Sequence, residues 1–431
     1  MNTKKNEKVA IGLSTFFPGA GQFYNGQWFK GIVFASICML FIYQMAIDGV
    51  YNIDELFTLG YQAGRDNSLF MLIRGVLQCL IIAIYAIFHV VNVIDARKIA
   101  KMWNNGEKVA ISPKENLKNV YQHGFPYVLV TPAYLLMIFV ILFPVIVSIL
   151  IALTNYDFQH IPPQKLLDWV GFDNFIKIGA LSTFQNAFLS VLGWTIIWSL
   201  AASTLQIVMG IFTAVVANQS FVKGKRIFGI IFLLPWAVPG FITILTFSNM
   251  FNDSLGAINT QVLPFIKSLF PFLDFGIIPW KTDPFWTKFA VIFVQAWLAT
   301  PYIYVLTLGI LQAIPHDLYE AATIDGANAW QKFKHITFPT ILAVAAPSLI
   351  TQYTGNFNNF SVIYLFNQGG PGSVGGGAGS TDILISWIYK LTTSTSPQFS
   401  LAAAVTLIIS IIVIGISLVT FKKLHAFEME D

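Results

Sequence analysis

Besides residues 9–29, eight long runs of this chain contain no Asp, Glu, Lys or Arg: residues 31–47, 75–94, 124–156, 178–222, 227–252, 289–315, 336–381 and 391–421. A helix needs about 20 mostly apolar residues to cross the hydrocarbon layer of a bilayer. Each run therefore predicts one crossing helix, over approximately 30–47, 73–94, 128–151, 187–214, 227–248, 289–312, 341–364 and 400–420. Helices are required because lipid offers no hydrogen-bond partner to a backbone N–H or C=O. The alternating segments of an outer-membrane barrel are absent. Only 11% of the 431 residues are charged and 55% are hydrophobic; soluble domains carry about 25% charge. That balance excludes a cytosolic enzyme and a disordered chain. The expected fold class is an all-α polytopic membrane protein with about eight transmembrane helices.

Two apolar regions leave choices open. Residues 178–222 fit either one long helix or a helix followed by an interfacial segment. Residues 9–29 contain FFPGAGQFYNG, where Pro18 and the close-set glycines disfavour a continuous helix. An interfacial or re-entrant segment is preferred there, with a ninth span as the alternative. The N-terminus reads as an uncleaved membrane anchor, because no clear cleavage sequence follows it. Basic residues set the orientation. With eight spans and a cytoplasmic N-terminus, 17 of the 25 Lys and Arg residues fall on the inner side, among them Lys4, Lys5, Lys8, Arg97, Lys98, Lys108, Arg226 and Lys423. Both termini are thus expected in the cytoplasm of a bacterial cell, with the chain in its plasma membrane. Cys38 and Cys79 sit in apolar runs, and no disulfide framework or metal site is expected.

The predicted spans hold no acid or base at mid-depth, which counts against ion coupling through buried charges. His89 lies near a span end, where packing or an interfacial position explains it. Neutral polar groups do occur. The sixth span carries Gln295, Trp297, Thr300, Tyr302 and Tyr304 around Pro301, and the seventh carries TQYTGNFNNF, residues 351–360. Such side chains must face one another, water or a polar ligand. Amides match the hydroxyls of a sugar and aromatic rings cover its C–H faces. Polar packing between helices is the alternative for any single residue. The loop 253–288, with Pro264, Pro271, Pro279 and Pro284, predicts a folded lid with short amphipathic helices. The stretch NQGGPGSVGGGAGSTD, beginning at Asn367, predicts a flexible external loop. It is no phosphate-binding loop, since no Lys-Ser or Lys-Thr follows its glycines.

The connector IPHDLYEAATIDGANAWQKFKHITFP, residues 314–339, lies on the basic side. Asp317 and Glu320 have the spacing of a capping box, Gly326 permits a break, and Trp330, Phe333 and Ile336 form an apolar ridge. An exposed helix–Gly–helix knob suits docking; an ordinary inter-span connector is the alternative. Its residues Glu320, Ala321, Ala322, Asp325, Gly326, Ala327, Phe333, Ile336 and Pro339 resemble the coupling motif of binding-protein-dependent ABC importer permeases. Phe338 replaces the usual Leu before Pro339. The resemblance covers the six C-terminal spans, about 125–425, a MetI-like core. With WLATPYIY, NFNNFSVIYLFNQGGP and TDILISWIYK it looks closest to the larger permease subunit of the maltose and maltodextrin importers.

The resemblance implies a division into 1–124, an N-terminal segment with two extra helices, and 125–425, the transporter domain with its coupling loop 314–339. It implies a non-catalytic permease, with ATP and magnesium held by two separate cytoplasmic ATPase subunits and no cofactor on this chain. A second homologous permease, an extracellular sugar-binding lipoprotein, an oligosaccharide and the lipid bilayer are the implied partners; nucleic acid is not. Local motif match carries the sugar contacts to Gln295, Leu298, Ala299, Tyr302, Gln352, Gly355, Asn356 and Asn359. Gln295 stands where an Asn is familiar and Gly355 where an aromatic residue can stand, which implies a wider pocket. Maltose and maltodextrins are the implied cargo. Another sugar such as a galacto-oligosaccharide, or an ion-coupled secondary transporter, are the alternatives.

Overall fold

The computed structural model describes residues 5–107, 109–219, 221–273 and 275–423. Lys4, Lys108 and the expected domain end at residue 425 lie outside them. Two compact units form, one up to Gly171 and one from Phe172 onward. β structure among the described residues is confined to isolated bridges, such as Thr154 with Trp169.

The first unit holds α1 (Glu7–Phe16), α2 (Ala20–Tyr24), α3 (Trp28–Gln44), α4 (Val50–Thr58), α5 (Ser68–Asn104), α6 (Pro113–His123), α7 (Phe125–Met137) and α8 (Phe143–Ala152). π-helical turns join α3 to α4 and α7 to α8. The disputed N-terminal run forms α1 and α2, of 10 and 5 residues. At 1.5 Å per residue neither can cross a bilayer, so no ninth crossing helix forms. Gly19 makes the turn between them at φ 92°. The pair is stapled to the C-terminal turns of α5. Asn92 accepts from Gly19 N at 3.1 Å and donates to Ser14 O at 3.1 Å. Asn25 donates to Ala96 O at 2.8 Å, and Lys30 pairs with Asp95 at 2.9 Å. These amides explain why so polar a segment lies against a membrane helix.

The second unit holds α9 (Asp173–Ala180), α10 (Ser182–Asn218), α11 (Lys225–Ala237), α12 (Gly240–Met250), α13 (Leu263–Leu269), α14 (Pro284–Ala313), α15 (His316–Ile324), α16 (Ala329–Lys332), α17 (Phe338–Phe357), α18 (Phe360–Asn367), α19 (Leu384–Thr393) and α20 (Phe399–Lys423). The long uncharged run resolves into α10, one helix of 37 residues. Among the described residues seven helices are long and apolar enough to cross a membrane, or eight if α11 and α12 count as one span. That pair is bent by 90°. The reason is local: Pro239 lacks an N–H and forces Val238 into an extended conformation, φ −109°, ψ 136°. The expected straight fifth span is therefore broken. The seventh is interrupted too, between α17 and α18, where Asn359 caps α18 by accepting from Val362 N at 3.4 Å.

The Gly-rich stretch is folded, not loose. Gly carries no side chain to bury, so its composition reads as flexible; here its backbone groups are the ligands. Trp387 donates to Gly376 O at 2.8 Å and Trp194 to Thr381 O at 3.0 Å. The fully buried Asp382 accepts from Gly379 N at 2.7 Å and from Ser386 Oγ at 2.8 Å, and pairs with Lys390.

The core of this unit is the crossing of α10 with α14, covered by α17. Gly210 sits under Ile303 and Tyr304, and a Cβ there would overlap Ile303. Gly210→Val should lower the melting midpoint of the purified protein, since overpacking costs about 1–3 kcal/mol. Gly415→Ala, with no atom within 4 Å of the added carbon, should leave it nearly unchanged. Equal melting of both variants would refute the tight crossing.

Candidate functional site

On α14, Gln295, Leu298, Ala299 and Tyr302 are spaced i, i+3, i+4, i+7, and on α17 Gln352, Gly355 and Asn356 continue to Asn359 with the same spacing. The α14 set and the three α17 residues each occupy one helix face, whereas Asn359 lies past the end of α17 as the N-cap of α18. The structure joins the four amides through α10. Gln206 donates to Gln352 Oε1 at 2.9 Å and accepts from Gln295 Nε2 at 3.4 Å and from Asn356 Nδ2 at 3.3 Å. Asn359 donates to Gln295 Oε1 at 2.8 Å and to Asn356 Oδ1 at 3.4 Å. Ser203 accepts from Asn356 Nδ2 at 2.9 Å. Ser203, Gln206, Gln295 and Asn356 are buried, while Gln352 and Asn359 are half-buried.

This polar belt lies between two apolar clusters along the same helices. One contains Trp194, Trp198, Val294 and Ile363, the other Ile207, Ile211, Ile303 and Leu349. Leu298 packs against the first cluster and Tyr302 against the second, with the Tyr302 ring 6.3 Å from Trp236 of α11. Gly355 is exposed, and nothing lies within 4 Å of a carbon added to it. Ser203 and Gln206 were missed by the sequence reading. The signal was present: they stand three residues apart, hence on one face, inside a run without charges. The belt is neutral throughout, so it offers donors and acceptors without attracting ions. Among the described residues no cluster of three His, Cys, Asp or Glu side chains could hold a metal.

The second candidate feature is the connector. Helix α15 begins after Pro315, two residues earlier than a cap at Asp317 requires, so Asp317 lies inside the first turn. The capping box belongs to α16: Asn328 accepts from Gln331 N at 2.9 Å and Gln331 accepts from Asn328 N at 2.8 Å. Gly326 makes the break with φ +80°. Tyr319 bonds Thr337 at 2.9 Å and Lys332 donates to Thr323 at 2.6 Å, so both arms are tied together. Trp330 stacks on Phe333 with centroids 5.5 Å apart, yet Trp330 is 67% and Ile324 is 88% exposed. Glu320, Ala321, Asp325, Gly326 and Pro339 are exposed, while Ala322, Ala327, Phe333 and Ile336 are half-buried. A braced knob with uncovered apolar tips results.

The described residues of the 253–288 loop are folded, as expected. Asn259 accepts from Trp280 Nε1 at 3.0 Å and donates to Ile278 O at 2.8 Å. Lys281 donates to Ser248 Oγ at 2.7 Å, and burial holds its ammonium below the usual lysine range, partly opposed by Asp253.

Residues 206–429 match the family described as binding-protein-dependent transport system inner membrane component. The chain is 65% identical over 431 residues, 100% of this chain and 99% of the other, to the maltodextrin transport system permease protein MalC of Streptococcus pneumoniae serotype 4. It belongs to that family. It is 57% identical to the maltodextrin transport system permease protein MdxF of Bacillus subtilis, over 100% and 99% of the two chains. The family places the chain as a non-catalytic membrane permease subunit of an ABC importer. A bacterial ABC transporter involved in the import of the acidic polysaccharide alginate shares the fold, with a TM-score of 0.58 at 20% identity over 73% of this chain and 99% of that one. The expected kinship with the larger subunit is corrected. The MalF permease of Photorhabdus laumondii matches at 37% over only 258 residues, 59% of this chain and 48% of its own length. This chain is of the shorter MalC and MdxF type.

Asp382→Ala should leave Lys390 without its carboxylate and release the glycine stretch. Limited proteolysis of the purified importer should then cut between residues 372 and 378 about tenfold faster or more than in the wild type. Unchanged cutting would show that Asp382 does not hold the loop.

Proposed function

We propose that this chain is the sugar-holding permease subunit of a maltodextrin importer. The observation that carries the reading is the neutral belt of Ser203, Gln206, Gln295, Gln352, Asn356 and Asn359 between two apolar clusters. A sugar presents hydroxyls that both donate and accept, and amides answer both. Leu298, Ala299, Tyr302 and Gly355, which has no atom within 4 Å of an added Cβ, complete the proposed lining. The names of the end-to-end relatives support the same cargo.

Energy enters through the connector 314–339 of a transporter domain over 125–425, whose first helices, α7 and α8, fold in one compact unit with residues 1–124. The chain lies in a bacterial plasma membrane with both termini in the cytoplasm, and pairs there with a second homologous permease. The exposed knob around Glu320, Ala321 and Gly326 seats in one of two cytoplasmic ATPase subunits, which hold ATP and magnesium. Closure of the ATPases moves α15 and α16 as one body, because Tyr319–Thr337 and Lys332–Thr323 brace them. The attached α14 and α17 then turn the belt from one side of the membrane to the other. An extracellular sugar-binding lipoprotein delivers the oligosaccharide.

Deletion of the gene should abolish uptake of labelled maltotriose and longer glucans, and excess galacto-oligosaccharide should compete poorly. Glucan uptake at the parental rate would sink the assignment. Gly326→Val forces a β-branched residue into a left-handed conformation. In the reconstituted importer it should reduce transport about tenfold or more while ATP hydrolysis continues. Parallel loss of both, or of neither, would remove the connector from coupling.

A further inference from the structure

The belt has a direction, and the direction is set by the backbone. Ser203 Oγ donates to the main-chain carbonyl of Gln352 at 3.2 Å. Its one proton is thereby used, so toward Asn356 it can only accept, and Asn356 must present Nδ2 to it, at 2.9 Å. The same Nδ2 meets Gln206 at 3.3 Å, which requires the Gln206 carbonyl on that side; Gln295 Nε2 shares this acceptor at 3.4 Å. With its oxygen committed, Gln206 has only its NH2 left for Gln352, whose Oε1 receives it at 2.9 Å. At the far end, Val362 N donates to Asn359 Oδ1 at 3.4 Å, so Asn359 turns its NH2 to Gln295 Oε1 at 2.8 Å. One main-chain acceptor and one main-chain donor thus fix every amide between them.

We infer that Gln206 is a positioning residue that determines which half of the Gln352 amide faces the substrate. Gln206 is fully buried. Through its NH2 it holds the Gln352 oxygen inward and leaves the Gln352 NH2, the free end of a half-buried side chain, directed away from the network. The site then offers a donor at that point and selects for a substrate atom that accepts. The inference rests on the reading of the belt as sugar-holding and adds to it the polarity of one subsite.

A hydroxyl meets either half of an amide, whereas a fluorine in its place can accept and cannot donate. The test is transport of maltotriose and of its singly fluorinated analogues by the complete importer in proteoliposomes, each analogue expressed as a ratio to maltotriose. Gln206→Glu, once ionised, offers only acceptors and turns the Gln352 NH2 inward, so the Gln352 oxygen faces the sugar. While protonated, its O–H replaces the native donor and keeps the wild-type order. The other members of the network do not titrate, so a change in ratio with pH that this variant shows and the wild type, with the same surrounding Tyr302, Tyr304 and Tyr353, does not show reports this carboxyl. Gln352→Glu is the second variant: one oxygen still accepts from Gln206 and the other presents an acceptor outward.

At least one fluorinated analogue that the wild type carries should fall about tenfold or more relative to maltotriose in Gln352→Glu. The same analogue should fall in Gln206→Glu as the pH rises. An importer that carries maltotriose but keeps one order of analogues in the wild type and both variants, at every pH, would overturn the inference alone. An importer that carries no glucan would overturn the sugar reading and the inference with it.

Discussion

A polar side chain at mid-depth in a membrane protein must find its partners inside the protein, because the surrounding lipid supplies none. Everything in the second unit follows from how that demand is met. Three helices, α10, α14 and α17, each bring amides or hydroxyls to one level, and each helix is apolar above and below it. A single helix with Gln352, Asn356 and Asn359 would be poorly accommodated in lipid. Three such helices satisfy one another, and the close approach at Gly210 brings two of them together. The belt is the polar glue of the bundle.

The same demand explains where regular helix stops. Between α17 and α18 the backbone leaves the helix at Asn358 and Asn359, and the Asn359 side chain caps the following helix. Between α11 and α12 the break falls at Pro239, next to Trp236, whose ring lies near Tyr302. Irregular backbone at membrane depth is tolerated where protein or water surrounds it. Both breaks border the proposed path, which places movable joints beside the cargo, while the continuous helices α10 and α14 act as the frame.

Much of this was legible in the chain. Gaps between charges located the crossing helices, since a charge is costly inside the hydrocarbon layer. The amides Gln295, Gln352, Asn356 and Asn359 stood out because their neighbours are apolar. Gln206 and Ser203 did not, being only two polar residues in a long uncharged run whose register against α14 is a tertiary fact. The 90° bend was hidden because composition counts apolar residues without regard to direction. The Gly-rich stretch misled for a related reason: its order comes from Asp382, Trp194 and Trp387, which lie outside or at the end of it. The branch of the family was misjudged because short motifs were compared; length separates the types, and the MalF chain matches over less than half of itself.

The connector and the belt make different physical demands on one polypeptide. The connector must be stiff, and two side-chain bonds with a capping box hold its short helices although its apolar tips remain uncovered. On the proposed reading the belt must also release its cargo, so its bonds to a sugar have to be exchangeable. Neutral amides serve because no charge is left unpaired when the sugar departs. A carboxylate in the same place would bind a hydroxyl more strongly, yet on release would face the penalty of an uncompensated charge. An importer that takes its energy from outside the membrane has no need of such a group within it. The scarcity of charge along the helices therefore suits both the lipid around them and the sugar between them.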